Sequence, residues 1–201
     1  MLSDLIKLDQ QLTVALNQWA SNGLDPIMQA ISGTYTWIPL YLLLTGLIVY
    51  SYRKASWIVI LGVIVLVAAS DYTSVHFFKD IFMRFRPSRD PVVSELVRLP
   101  HGRGGLYGFI SSHASNCFAI AAYITVALKN RFRFFRSGIM FLWAALIAYS
   151  RVYLGRHYIG DILCGCLWGL FLAWIIWKIT RLMLARVYPS TPPCLYRQPK
   201  K

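Results

Sequence analysis

Three short clusters hold the residues of this chain whose types and spacing suit chemistry. The first runs from Lys79 to Arg86 and Pro87. The second is Ser111, Ser112 and His113. The third is Ser150 and Arg151, then His157, then Asp161. Lys79, Arg86 and Arg151 offer positive charge to a dianionic group, and arginine adds planar, two-pronged donation to phosphate oxygens. Lys79 and Arg86 are seven apart, two helical turns, so they are expected to share a face. A helix is expected to begin at Ser111, where free backbone N–H groups and the positive dipole end would meet an anion. His157 and Asp161 are four apart, one turn, so the carboxylate can reach the ring. It would fix one tautomer and leave the other ring nitrogen free to attack phosphorus, while His113 protonates the leaving oxygen. Such a set calls for no metal and no cofactor.

These clusters need a scaffold, and the composition names it. Hydrophobic residues make up 57% of the 201 and charged residues 14%, against about 25% charged in an ordinary soluble domain. A membrane helix needs roughly 20 mostly apolar residues, with about 17 as a floor. Five segments qualify: residues 36–52, 56–78, 111–128, 137–155 and 159–179. The expected fold is an all-α integral membrane bundle of five transmembrane helices, with a six-span variant as the alternative. Residues 1–34 read as amphipathic interfacial helices. Leu5, Leu8, Leu12, Leu16 and Trp19 recur at helical spacing, interrupted by Asp4, Lys7, Asp9, Gln10 and Gln11. Asp25 and Pro26 look like the cap and first turn of a second short helix that ends near Gly33. Residues 35–180 would form the membrane domain, and 181–201 a cytoplasmic tail rich in proline.

Charge sets the orientation. Taking alternate connections, one side gathers Arg53, Lys54, Lys129, Arg131, Arg133, Arg136, Lys178, Arg181, Arg186, Arg197, Lys200 and Lys201, with no acidic residue; the acidic residues fall on the other side or near it. Positive loops stay cytoplasmic. All three clusters therefore face outward. The net charge of +13 could suggest nucleic acid, but the basic residues sit between long apolar runs, so no nucleic-acid partner is expected. Cys117, Cys164, Cys166 and Cys194 have no metal-binding spacing and read as small apolar fillers.

The clusters resemble the three motifs of the type 2 phosphatidic acid phosphatase family, which is related to glucose-6-phosphatase and the vanadium haloperoxidases. Lys79-x6-Arg86-Pro87 and Ser150-Arg151-x5-His157-x3-Asp161 match the first and third motifs in full. Ile110-Ser111-Ser112-His113 keeps the serine and histidine of the second, with Ile110 and Ser112 at its proline and glycine positions. The resemblance implies His157 as nucleophile, Asp161 as its partner and His113 as acid. Lys79, Arg86, Arg151, Ser111 and Ser112 would bind the phosphate. It also implies a lipid phosphatase working through a phosphohistidine, at the periplasmic face of a bacterial inner membrane. The substrate would be a phosphorylated lipid: undecaprenyl diphosphate, phosphatidylglycerol phosphate, phosphatidic acid or a lipid A phosphate. A phospholipid-binding or transport protein that has lost catalysis is the alternative on the same scaffold.

Three features stand beside the motifs. Arg156, next to the nucleophile, reads as a surface anchor. Asp71 lies eight residues before Lys79, about 12 Å deeper along a helix; it either ties helices together or serves the site indirectly. The long outer loop at 88–110, with Gly102, Gly104, Gly105, Gly108, Arg89, Arg98 and Arg103, is expected to cover the site and touch the lipid headgroup.

Overall fold

The structure, a computed structural model, describes residues 2–189. Its helices are α1 (Leu2–Asn17), α2 (Asp25–Ser32), α3 (Ile38–Tyr52), α4 (Ser56–Thr73), α5 (Asp80–Phe82), α6 (Ser112–Leu128), α7 (Ile139–Tyr153) and α8 (Ile159–Val187). The described chain is otherwise loops, short 3-10 turns, a π-helical turn over Ser74–Lys79 and one isolated bridge between Phe85 and Tyr107. From Tyr35 to Phe82 the chain is a helical run of 48 residues interrupted by a turn at 53–55, where Arg53 has a φ of 53°. That run and the 29-residue α8 are each long and apolar enough to cross a membrane, while the apolar α6 and α7 are shorter. α8 passes residue 180, where the tail was expected to begin. Cys194 and the tail prolines beyond Pro189 lie outside the described residues.

α6 is the central element, packed between α4, α7 and α8. Its approach to α8 depends on Gly165 and Gly169. A Cβ at Gly165 would lie 2.7 Å from the carbonyl oxygen of Ser111, and one at Gly169 would collide with that of Ser115. Small residues one turn apart let two backbones meet, which is how helices associate when lipid removes the aqueous hydrophobic drive. Hydroxyls fasten the interior. Tyr123 Oη donates to the Val59 carbonyl at 3.1 Å and lies 2.9 Å from Thr180 Oγ1, tying α6 to α4 and α8. Ser70 and Ser115 hydroxyls meet at 2.7 Å. Large apolar side chains instead face outward: Leu42, Leu142 and Leu167 are each about two-thirds exposed, as a lipid-facing surface requires.

The N-terminal helices depart from the simple interfacial picture. The apolar stripe of α1 is exposed, but its polar face is docked on the bundle. Asp9, Thr13 and Asn17 recur every fourth residue along that face, and Thr13 and Asn17 are fully buried. Thr13 Oγ1 accepts the Ile159 N–H at 3.1 Å and Asp9 Oδ1 accepts that of Gly160 at 2.8 Å, so α1 caps the orphan amides that begin α8. Asn17 Nδ2 donates to the Tyr153 carbonyl at 2.7 Å, at the end of α7, and its Oδ1 accepts the Arg98 N–H at 2.7 Å. α2 begins at Asp25 itself, whose carboxylate turns to the Arg98 guanidinium at 2.6 and 2.7 Å.

Candidate active site

The second cluster opens α6 as expected. Ser111 is the N-cap, its Oγ accepting the Ala114 N–H at 3.4 Å, and its own N–H donates to the Asp161 carbonyl at 3.0 Å. That bond joins the second cluster to the third. Lys79 Nζ donates to Ser112 Oγ at 2.7 Å, which joins the first to the second.

Lys79 and Arg86 do not share a helix face. Met83 adopts a left-handed conformation, with φ of 43°, and stops the helix after Phe82. Arg86 is extended and reaches the site as part of a clamp with the outer loop. Its N–H donates to the Leu106 carbonyl at 3.1 Å and its Nε to that of Tyr107 at 3.0 Å. The two cations still approach each other, through the turn rather than along a helix.

His157 and Asp161 also meet by another route. α8 begins at Ile159, so His157 precedes it and Asp161 sits in its first turn. The Asp161 carboxylate accepts the Tyr158 N–H at 3.0 Å, the acidic half of a capping box. This folds His157 back until its Nδ1 lies 3.4 Å from Asp161 Oδ2. Both side chains are buried. Burial, then the charges of Arg86, Arg151 and Lys79, holds the His157 imidazole well below its ordinary pKa. The ring is therefore neutral, as a nitrogen nucleophile must be.

Arg84 and Asp9 were absent from the expected site. Arg84 Nη1 donates to Asp161 Oδ1 at 2.9 Å, its Nη2 to Asp9 Oδ2 at 2.7 Å, and the guanidinium lies 4.1 Å from the centre of the Tyr158 ring. Burial opposes its charge, but Asp161 and Asp9 outweigh burial and raise its pKa. Arg84 lies between Lys79 and Arg86 in the first motif, where the spacing treats it as filler.

The loop over the site is held by its own backbone. Gly108 N–H donates to the Arg84 carbonyl at 2.9 Å. A Cβ on Gly108 would sit 3.0 Å from Arg86 Cγ, 3.1 Å from Asp161 Oδ2 and 3.5 Å from His157 Nδ1, so glycine lets this strand of chain lie against the nucleophile. Two of the loop arginines expected at the headgroup are engaged elsewhere. Arg98 binds Asp25 and Asn22, and Arg89 Nε donates to the Gly104 carbonyl at 3.1 Å. Arg156 goes the other way. A Cβ on Gly104 would lie 3.0 Å from guanidinium nitrogens of both Arg156 and Arg86, so Arg156 stands in the cationic cluster rather than anchoring the surface. Burial, then Arg156, lowers the pKa of Arg86.

Arg151 on α7 sends Nη1 to the Ser32 hydroxyl of α2. Ser150 beside it is buried, its Oγ donating to the Ile147 carbonyl at 2.6 Å. Among the described residues, Arg84 and Arg98 have carboxylate partners, whereas Lys79, Arg86, Arg151 and Arg156 have none within 4 Å. These last four cations and His157 surround the inner end of the loop, and His113 stands among them. Below His113 a cavity of about 860 Å³ runs down between α3, α4, α6 and α7, lined mostly by apolar side chains such as Tyr41, Val67, Ile120 and Ile147. His113 joins this apolar trough to the neighbouring cations, an arrangement that fits an amphiphile with an anionic head.

Residues 57–183 match the family model described as PAP2 superfamily. The chain is 30% identical over 195 residues to a lipid A 4'-phosphatase of Bacteroides thetaiotaomicron, covering 96% of this chain and 85% of that protein. It is 32% identical over 179 residues to a lipid A 4'-phosphatase of Porphyromonas gingivalis, covering 87% and 74%. Its fold resembles the crystal structure of a transmembrane PAP2 type phosphatidylglycerolphosphate phosphatase from Bacillus subtilis, with a TM-score of 0.67 at 20% identity over 90% of this chain and 88% of that one. With all three clusters drawn to one end of the bundle and the family model spanning α4 to α8, the chain belongs to the PAP2 superfamily of membrane phosphatases.

Proposed function

We propose that this membrane lipid phosphatase removes a phosphate monoester from a glycolipid of the lipid A type, through a phosphohistidine on His157. The observation that carries the reading is the set of four cations without carboxylate partners around a neutral, buried histidine, beside an apolar cavity that His113 lines. Lys79, Arg86 and Arg151, with the Ser112 amide at the start of α6, hold the phosphate oxygens, and Arg156 adds charge at the rim. Nδ1 of His157 faces Asp161, so Nε2 attacks phosphorus. The P–O bond to the lipid breaks as the P–N bond forms, and His113 gives its proton to the leaving oxygen. Water then attacks the phosphohistidine, its proton passing to His113 as the P–N bond breaks, which restores both histidines and releases inorganic phosphate. The two relatives named lipid A 4'-phosphatases support the choice of substrate.

The topology follows from charge. We place five crossings, in α3, α4 with its extension, α6, α7 and α8, with α1 and α2 at the outer end. The turns at 53–55 and 129–137 carry lysines and arginines that favour the cytoplasm, which supports a site on the periplasmic side. An impermeant thiol reagent should label a cysteine introduced at 94 but not one at 130 in intact cells. Rapid acid quench after mixing with a radiolabelled lipid phosphate tests the chemistry. Acid-labile phosphate should be trapped on the wild type and on His113→Ala, and none on His157→Ala. Trapping on His157→Ala alone would reverse the two histidine roles.

A further inference from the structure

The head of the cavity carries polar groups that the phosphate chemistry does not use. Asp71 on α4 lines it, and its carboxylate is exposed there within an otherwise apolar helix. Asn116 lies one turn after His113 on α6 and lines the same space; its Oδ1 is buried and has no hydrogen-bond partner among the described residues. Ser32 and Thr34 stand at the same end. An acidic side chain at membrane depth is costly and persists where it has a task, and a buried acceptor left unpaired is costly too. Both groups named first are acceptors. They face the cavity next to His113, where the leaving oxygen of a bound lipid would emerge, and they lie on the membrane side of the cations that hold its phosphate.

We propose that Asp71 and Asn116 form a specificity subsite for a hydrogen-bond donor on the lipid, within a few bonds of the phosphorylated carbon: an amide N–H, a hydroxyl or an ammonium. The proposal rests on the phosphatase reading above and adds what distinguishes one lipid phosphate from another. A donor-bearing lipid satisfies both acceptors. A diacylglycerol phosphate offers only ester oxygens at that position, so binding it buries Asp71 and Asn116 without partners. Discrimination of this kind is strong because the wrong ligand leaves polar groups of the protein unpaired.

The test compares two lipids of matched chain length in the same detergent micelles. N-acylsphingosine 1-phosphate has an amide N–H and a hydroxyl near its phosphate; diacylglycerol 3-phosphate has neither. Wild-type kcat/KM should favour the first by at least tenfold. Asp71→Asn and Asn116→Leu should bring that ratio to within threefold of unity, by raising KM for the amide lipid and lowering it for the diacyl lipid. Equal turnover of the two lipids by the wild type would overturn the subsite, as would a variant that lowers both activities alike. If neither lipid released phosphate, release from a lipid A phosphate would judge the phosphatase reading on its own. The subsite would then be judged by native mass spectrometry of the same lipids bound to the same variants. A preference for the amide lipid that Asp71→Asn removes supports it, and equal binding refutes it.

Discussion

Arg84→Met should slow the reaction while leaving substrate affinity nearly unchanged, because Arg84 acts through Asp161 and touches no phosphate. At 2.9 Å from Asp161 Oδ1, the guanidinium attracts that carboxylate by about 6 kcal/mol at an effective dielectric of about 20. Much of this is offset. The Arg84 side chain is 26% exposed, so water screens it, while the Asp161 side chain has no exposure at all. Exposed pairs contribute ~1 kcal/mol or less and breaking a buried one costs ~3–5 kcal/mol, so this half-sheltered pair is worth about 2–3 kcal/mol. If the loss falls on the transition state, in which His157 becomes positive and relies on Asp161, kcat drops about 30- to 150-fold. KM should stay within about threefold. Arg84→Lys should recover part of the rate, since an ammonium supplies the charge but not the fork that spans Asp9 and Asp161. Steady-state kinetics on a lipid phosphate, with Asp161→Asn and the double variant as a cycle, reads the coupling directly. A raised KM at unchanged kcat would place Arg84 on the phosphate instead. Additivity of the two substitutions would show that the rate effect does not pass through Asp161.

Asn17→Leu should destabilise the protein by about 3 kcal/mol, because it strips partners from the Tyr153 carbonyl and the Arg98 N–H in a fully buried position; thermal unfolding in detergent measures it, and an unchanged midpoint would contradict the docking of α1. Since the pKa of folded His157 lies well below 6.5, its neutral form persists as pH falls through 6.5, and the acid limb of kcat/KM should lie below that pH. The linked effect on stability has a definite sign. The unfolded chain binds the proton first, so this histidine's contribution weakens as pH falls from 6.5 toward the folded pKa. A chelator should leave activity intact and vanadate should inhibit; activity lost to chelation and restored by magnesium would overturn the metal-free reading.

The sequence carried the motif residues well because their chemistry is dense and their order fixed: Lys79, Ser112, His157 and Asp161 do converge. It carried the routes poorly. Nothing before Pro87 announces that the helix stops after Phe82, since Met83 takes a left-handed conformation that residue type does not advertise. Gly155 did carry such a signal. Its φ is 63°, and a Cβ there would press on Leu99, so the chain can leave α7 and turn toward His157 at glycine alone. His157 and Asp161 do come close, 3.4 Å apart, although not along a helix, because a helix start brings the same two positions together. Asp9, Thr13 and Asn17 were visible as a polar stripe, but a stripe does not say which side faces protein. In a membrane-bound chain the exposed side can be the apolar one.

The distribution of carboxylates explains how so basic a site can exist. Asp9 and Asp161 take Arg84, Asp25 takes Arg98, and Asp90 is drawn to the Tyr158 hydroxyl and to the amides of Val92 and Val93. Each of these acids fixes a wall of the site: the docked N-terminal helices, the outer loop or the start of α8. Lys79, Arg86, Arg151 and Arg156 are left facing one another, and their repulsion favours a bound dianion. A substitution that places a carboxylate among them, such as Gly104→Asp, would neutralise in advance the charge that the phosphate is meant to neutralise. The scaffold and the site are thus built from the same residue types, and what separates them is which cations already have partners.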